Sequence, residues 1–209
     1  MKILAHRGYW LNNIEKNTLV AFNRALEYGF GIETDFRDLN GKLVVSHDIP
    51  LDGAIQISEF IDLYKKSSTT APIALNIKSD GLYFLVKNLI LQSGMTSYFV
   101  FDMSVPDIRG YLCEQIPVFT RLSEYELFPA FLEQSQGVWL DAFESEWYES
   151  SLIKNLLDKH KQVAIVSPEL HSRSHLKLWE FLKANSFHQN PLILLCTDYP
   201  LEAKEYFNA

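Results

Sequence analysis

The sequence predicts a small parallel α/β barrel of eight strands, a TIM barrel, with one short extra strand after the second. Three observations predict it. Short apolar segments recur along the whole chain, amphipathic segments alternate with them, and polar residues gather where each strand ends. The strands are expected at residues 2–7, 31–36, 73–77, 97–101, 116–120, 137–141, 163–167 and 192–196. A doubly wound open sheet fits the same alternation. What leans toward the barrel is the repetition of His6, Glu33 with Asp35, Asn76 with Lys78, Asp102, Arg121, Asp141, Glu169 and Asp198 at or beyond successive strand ends. Barrel enzymes draw their active sites from that end of several strands.

The helices follow from periodicity and end signals. The first runs from Asn17 to Tyr28, with Leu19, Phe22 and Leu26 on one face and Gly29 placed to terminate it. Others are expected to begin near Ser58, Gly81, Pro106, Ser123, Ser145 and Ser172, and a last one follows Pro200. Leu43–His47 reads as the extra strand, joined to residues 31–36 by a turn at Asn40-Gly41. Lys65–Thr70 is the softest stretch and reads as a surface loop, so residues 1–209 form one expected domain.

Composition narrows the function classes. Apolar residues make up 47% and charged residues 22% of the 209, as in an ordinary globular protein. No stretch reaches the roughly 20 consecutive apolar residues of a membrane span. The N-terminal apolar run is too short for a signal peptide, so a cytoplasmic protein is the expectation. A net charge of −7 opposes binding to a nucleic-acid backbone, yet a few placed cations or one metal ion still allow a small anionic substrate. Cys113 and Cys196 are far apart in apolar surroundings, and buried reduced thiols are expected.

Three short motifs carry chemistry. Glu33 and Asp35 are two apart on a strand and face one way, so two carboxylates stand side by side. They repel unless a proton or cation lies between them, and oxygen donors suit Mg²⁺ or Ca²⁺. An exposed strand face is the alternative, which the flanking Phe30, Ile32 and Phe36 argue against. His6-Arg7-Gly8 closes the first strand with a proton-transfer group, a phosphate fork and a glycine for a close turn. His47-Asp48 adds a second imidazole, enough for one base and one acid.

In order and spacing, His6-Arg7-Gly8, Asn17-Thr18, Ala21-Phe22, Glu33-Thr34-Asp35 and His47-Asp48 resemble the glycerophosphodiester phosphodiesterases. Close resemblance spans about the first 80 residues; beyond them it rests on strand rhythm and on Thr197-Asp198-Tyr199-Pro200. It implies a barrel with a bound Mg²⁺ or Ca²⁺, and a small phosphodiester as substrate. His6 and His47 become the acid/base pair, Arg7 and Lys78 the phosphate contacts, and Glu33 and Asp35 the metal ligands. In the family reaction a neighbouring hydroxyl attacks phosphorus, a cyclic phosphate forms, and water opens it. The short chain and absent signal segment favour a soluble substrate.

The chain departs from that pattern twice. Lys16 stands where an acid usually precedes the Asn-Thr, with Glu15 one residue earlier. Asn76 stands where the family has its third carboxylate, so a neutral carbonyl oxygen replaces one charge and metal affinity should fall. Glu169 is a candidate replacement ligand or substrate contact, against a helix-entry acid, and Asp141 is another candidate. His171 follows Glu169 as a weaker candidate. Tyr9 and Trp10 can wall the pocket or pack in the core. The expected function is a metal-dependent phosphodiester hydrolase. The alternatives are a phosphoester-binding module with little or no turnover and, less favoured, an unrelated barrel enzyme.

Overall fold

A computed structural model describes residues 1–67 and 70–208. Eight parallel strands follow one another around a ring: β1 (Lys2–His6), β2 (Gly31–Leu39), β5 (Ile73–Ile77), β6 (Tyr98–Phe101), β7 (Phe119–Leu122), β8 (Gly137–Leu140), β9 (Gln162–Val166) and β10 (Ile193–Thr197). The last strand returns to the first, with Lys2 opposite Leu194 and Ala5 opposite Thr197. Ladder pairing thus runs from β6 through β1 to β7, and a single bridge brings those two end strands together, as in a TIM barrel and unlike an open sheet. The ring is weakest between β6 and β7. Only a bridge at Val100–Val118 joins them, with the Val100 N–H donating to Pro117 C=O at 2.9 Å. Pro117 has no N–H to give a ladder, which is why β7 starts at Phe119 rather than near residue 116.

The interior follows from period-two alternation. Leu4, Ala74, Phe99, Phe101, Phe119, Trp139, Ala164, Val166, Leu194 and Cys196 face inward and form one apolar cluster. Phe99 stacks on Phe119 with centroids 3.7 Å apart, and Phe101 on Trp139 at 3.9 Å. Such rings need small neighbours. A Cβ on Gly137 would lie 2.6 Å from the Phe119 ring. Two residues further along four of the strands, the same inward face turns polar, from Leu4 to His6, Ala74 to Asn76, Phe119 to Arg121 and Trp139 to Asp141. The barrel is therefore plugged below and functionalised above.

Outside the ring lie α1 (Leu19–Glu27), α2 (Ile57–Ser67), α3 (Tyr83–Ser93), α4 (Val105–Cys113), α5 (Ser150–Asp158), α6 (Leu176–Ala184) and α7 (Pro200–Asn208). The helix expected from Ser123 does not form. There the chain makes a tight turn in which Ser123 and Glu126 exchange backbone hydrogen bonds, and Pro129 disfavours helical backbone at Phe128. Lys65–Ser67, expected in a loop, complete α2, and Ser68 and Thr69 lie outside the described residues. Cys113, expected to be buried, is exposed at the end of α4. That helix buries Ile108 and Tyr111, and a residue two beyond Tyr111 points outward. Cys196 is buried as expected, and both thiols are free. No helix among the described residues is long and apolar enough to cross a membrane.

The extra strand is β3 (Lys42–Val45), antiparallel to β2 through Phe36–Val45 and Leu39–Lys42, and a two-residue β4 (Ile55–Gln56) extends it. Phe36 pairs with Ile77 of β5 on one edge, so β3 must use the other, the β1 edge. β1 ends at the His6–Glu33 pair, and the Ser46 N–H donates to Asp35 C=O. The chain leaving β3 thus passes over the end of β1, at the barrel mouth.

Candidate active site

The motif at the end of β1 is a folded device. Arg7 and Gly8 both have positive φ, and a Cβ on Gly8 would lie 2.8 Å from the backbone of Ala21. The glycine therefore serves close packing of the turn on α1, and Ala21-Phe22 is the surface it meets. Thr18 caps α1 by accepting from the Ala21 N–H. Asn17 donates from Nδ2 to Asp35 Oδ2 at 2.8 Å and accepts from the Thr34 hydroxyl at 3.0 Å. Asn17-Thr18 thus aims a carboxylate with its first residue and starts a helix with its second.

Glu33 and Asp35 are each 1% exposed. Asp35 is well compensated: Arg7 Nε lies 3.1 Å from Oδ2 and Lys78 Nζ 3.5 Å from Oδ1. Glu33 has weaker support. It accepts from the Arg7 N–H at 3.2 Å and from Asn76 Nδ2 at 3.1 Å, while His6 Nε2 stands 3.9 Å away. Burial first, and the charge of Asp35 second, push the Glu33 carboxyl above its ordinary range, against the pull of His6, Asn76 and Lys78.

His6 is gripped from the other side. Its Nδ1 lies 2.6 Å from Asp198 Oδ1, and an ionised carboxylate can only accept, so the proton is assigned to Nδ1 and Nε2 faces Glu33. Asp198 is held by Glu169, whose Oε1 accepts from the Asp198 N–H at 3.1 Å and from the Thr197 hydroxyl. Lys16 Nζ lies 3.7 Å from Asp198 Oδ2 and 4.3 Å from the Trp10 ring centroid. Glu15 turns away to Arg24 at 2.7 Å, so it does not stand in for the acid that Lys16 replaces.

The structure thus gathers His6, Arg7, Glu33, Asp35, Asn76 and Lys78 at one mouth. It gives Glu169 a supporting contact to Asp198. His47 lies over the end of β1 but half-exposed, with Nδ1 2.9 Å from its neighbour Asp48. Asp141 is held by His171 Nε2 at 2.7 Å, further round the ring. Trp10 lies at the mouth and donates to His6 C=O, whereas Tyr9 packs edge-on against Tyr28 and Phe30. Sequence reasoning did not assign a role to Asp198 or to Asn17. Asp102 joins them: it sits between Lys78 Nζ (3.4 Å) and Arg121 (2.7 Å) with φ of 73°. Asp198 carried two signals, its place in the strand-end polar series and in the Thr197-Asp198-Tyr199-Pro200 element of the resemblance, and neither pointed to His6.

Among the described residues no three His, Cys, Asp or Glu side chains group to hold a metal ion. With the amide of Asn76, the set Glu33, Asp35 and Asn76 offers three oxygens. Asp35 Oδ1 and Asn76 Oδ1 are buried without a hydrogen-bond partner. Such oxygens suit a hard cation, so the residues present fit one, with a charge lower than two acids and a third would give.

No family model and no curated protein sequence matches the chain. Its fold does match solved structures. Glycerophosphodiester phosphodiesterase from Agrobacterium tumefaciens superposes with a TM-score of 0.72 at 15% identity, over 100% of both chains. A glycerophosphoryl diester phosphodiesterase from Parabacteroides distasonis gives 0.68 at 14% identity, over 99% of this chain and 86% of that one. A Ca²⁺-dependent phosphatidylinositol-specific phospholipase C from Streptomyces antibioticus gives 0.60 at 12%, over 99% and 95%. The chain has the TIM-barrel fold shared by glycerophosphodiester phosphodiesterases and phosphatidylinositol-specific phospholipase C.

Proposed function

We propose that the chain is a metal-dependent phosphodiester hydrolase acting on a small glycerophosphodiester-like substrate. The observation that carries this reading is the tethered His6, with Nδ1 on Asp198 and Nε2 facing Glu33 at 3.9 Å, at the same mouth as the Arg7–Asp35–Lys78 cluster. Asp198 fixes the imidazole's orientation and stabilises it when it takes up a proton. In the proposed reaction His6 Nε2 exchanges a proton with one bridging oxygen of the diester. His47, whose Nδ1 is occupied by Asp48, serves the other bridging oxygen through its Nε2. One imidazole removes the proton of the attacking hydroxyl, and its partner protonates the departing alkoxide. A cyclic phosphate results, and the reverse roles admit water to open it. Arg7 and Lys78 hold the non-bridging oxygens, where negative charge builds. A divalent cation, Mg²⁺ or Ca²⁺, held by Glu33, Asp35 and Asn76 Oδ1, would neutralise phosphate charge and lower the pKa of the attacking oxygen.

A second reading is a phosphoester-binding module with little turnover. Asn76 favours it, as does the pairing of Asp35 with both Arg7 and Lys78, which supplies part of the positive charge a cation would bring. One experiment separates the two. Metal-stripped protein is given glycerophosphodiesters, which carry the neighbouring hydroxyl the reaction uses, with Mg²⁺, Ca²⁺ or Mn²⁺ added back in turn. The hydrolase reading expects turnover restored by at least one cation and lost in the double variant His6→Ala, His47→Ala. Equal rates in both proteins with every cation leave only the binding module.

A further inference from the structure

Lys16 is a point where the chain departs from the resemblance, and the structure holds it in a defined place. The 3₁₀ turn Asn13–Glu15 precedes it, opened by Asn12, whose side chain accepts from the Ile14 N–H. Asn17 follows it, donating its N–H to Arg7 C=O at 2.9 Å and bonding Asp35 and Thr34 through its side chain. The backbone that carries Lys16 is thus fixed on both sides. Its ammonium lies over the Trp10 ring, 4.3 Å from the centroid, and the Trp10 indole N–H donates to His6 C=O at 3.1 Å. The ring ties the lysine to the strand end that carries His6. From there the ammonium reaches the β10–α7 connection, 3.7 Å from Asp198 Oδ2. The Lys16 and Asp198 side chains are 24% and 12% exposed, so this is not a freely solvated surface pair, whose worth would be small. Among the described residues no other lysine or arginine pairs with Asp198.

Asp198 needs such a partner. Its Oδ1 holds His6 Nδ1 at 2.6 Å, and Glu169 holds its backbone N–H. The carboxylate itself can still turn, because the terminal torsion of an aspartate is broad. A turn that withdraws Oδ1 leaves the imidazole without its orienting partner. Charge acts in the same direction. Glu169 Oε1 lies 3.1 Å from the Asp198 nitrogen and Glu33 stands 3.9 Å from His6, so carboxylates crowd the histidine and its partner. A cation beside Oδ2 pins the second oxygen and offsets that charge. An acid at position 16, as in the resemblance, brings a like charge toward the same carboxylate. We infer that Lys16 is a positioning residue: it fixes the Asp198 carboxylate and, through it, the His6 imidazole. Its effect on rate rests on the hydrolase reading, whereas the geometry it fixes is measurable without turnover.

Lys16→Arg, Lys16→Met and Lys16→Glu in the full chain test it, with melting temperature as the check on folding. In proton NMR the His6 Nδ1–H on its carboxylate should give a downfield resonance that His6→Ala removes. Lys16→Met should broaden or lose that resonance, and Lys16→Arg should keep it. With a glycerophosphodiester, Lys16→Met should lower kcat about tenfold at unchanged KM, less than removing the anionic partner itself, because it acts only through Asp198. Lys16→Glu should lower kcat further, and Lys16→Arg should restore it. In an Asp198→Asn background Lys16→Met should cost nothing more. No downfield resonance in the wild type, or one unchanged in Lys16→Met, would overturn the inference. So would a Lys16→Glu protein as active as the wild type, a rise in KM alone, or a tenfold loss that persists in the Asp198→Asn background. A wild type without turnover whose resonance responds to residue 16 as stated would remove the hydrolase reading and uphold the positioning role.

Discussion

Replacing Asn76 by aspartate should destabilise the metal-free protein and make it more dependent on a divalent cation. Asn76 is 8% exposed, and its Nδ2 donates to Glu33 Oε1 at 3.1 Å. Aspartate turns that donor into a second acid against a carboxylate. Two charges at this distance with an effective dielectric near 20 repel by about 5 kcal/mol. Proton uptake limits the loss to at most about 4 kcal/mol, the cost of holding neutral at pH 7 a carboxyl of pKa about 3.9, because Glu33, already shifted upward, takes a proton more cheaply. For a chain of this size that is a fall in Tm of about 8–16 °C. A cation between the carboxylates should reverse it, since ligand at a hundred times its Kd returns about 2.7 kcal/mol. Thermal melts of both proteins in chelator, and then in millimolar Mg²⁺ or Ca²⁺, make the comparison. The variant should melt lower in chelator and gain more from the cation. If it melts with the wild type in chelator and gains no more on adding metal, residue 76 is outside the coordination shell.

Other outcomes follow from single contacts. Asp198→Asn should leave the fold intact but lower kcat by roughly 10²-fold, within the span of general acid–base effects, because His6 loses its anionic partner; an unchanged kcat would show that the pair is not catalytic. Gly8→Ala should cost more than about 1 kcal/mol in denaturant unfolding, since the new Cβ meets Ala21 and the positive φ is kept. A thiol reagent at pH 8 should label Cys113 alone in the native protein and both thiols after unfolding. Burial foremost, with Glu33 and Asp198 adding, pushes the Cys196 thiol well above its ordinary range. Labelling of two thiols in the native state would contradict the buried position.

The sequence revealed the barrel and the mouth unevenly, for physical reasons. Strand alternation and strand-end polarity are local properties, so the parallel strands and the inward set His6, Glu33, Asp35, Asn76 and Lys78 were legible. Local reasoning failed where tertiary context decides. Ser123 looked like a helix start, but Pro129 and the turn at Ser123–Glu126 prevent one. Asp198 pairs with His6 across 192 residues, a contact that only ring closure creates. Glu169 read as a candidate ligand or substrate contact from its own strand end, and its Oε1 bonds to Thr197 and Asp198, like the unpartnered state of its Oε2, depend on packing that no local pattern shows. Cys113 read as a buried thiol, because apolar sequence surroundings alone do not distinguish a buried side chain from one on the outer face of a helix end.

The central claim, that this mouth cleaves phosphodiesters, is tested most directly by ³¹P NMR of a glycerophosphodiester incubated with the full chain and Mg²⁺ or Ca²⁺. The account predicts that the diester resonance is replaced by that of a phosphomonoester with the wild type, and persists with His6→Ala. A diester resonance unchanged in the wild type with either cation, or lost equally with both proteins, would contradict it.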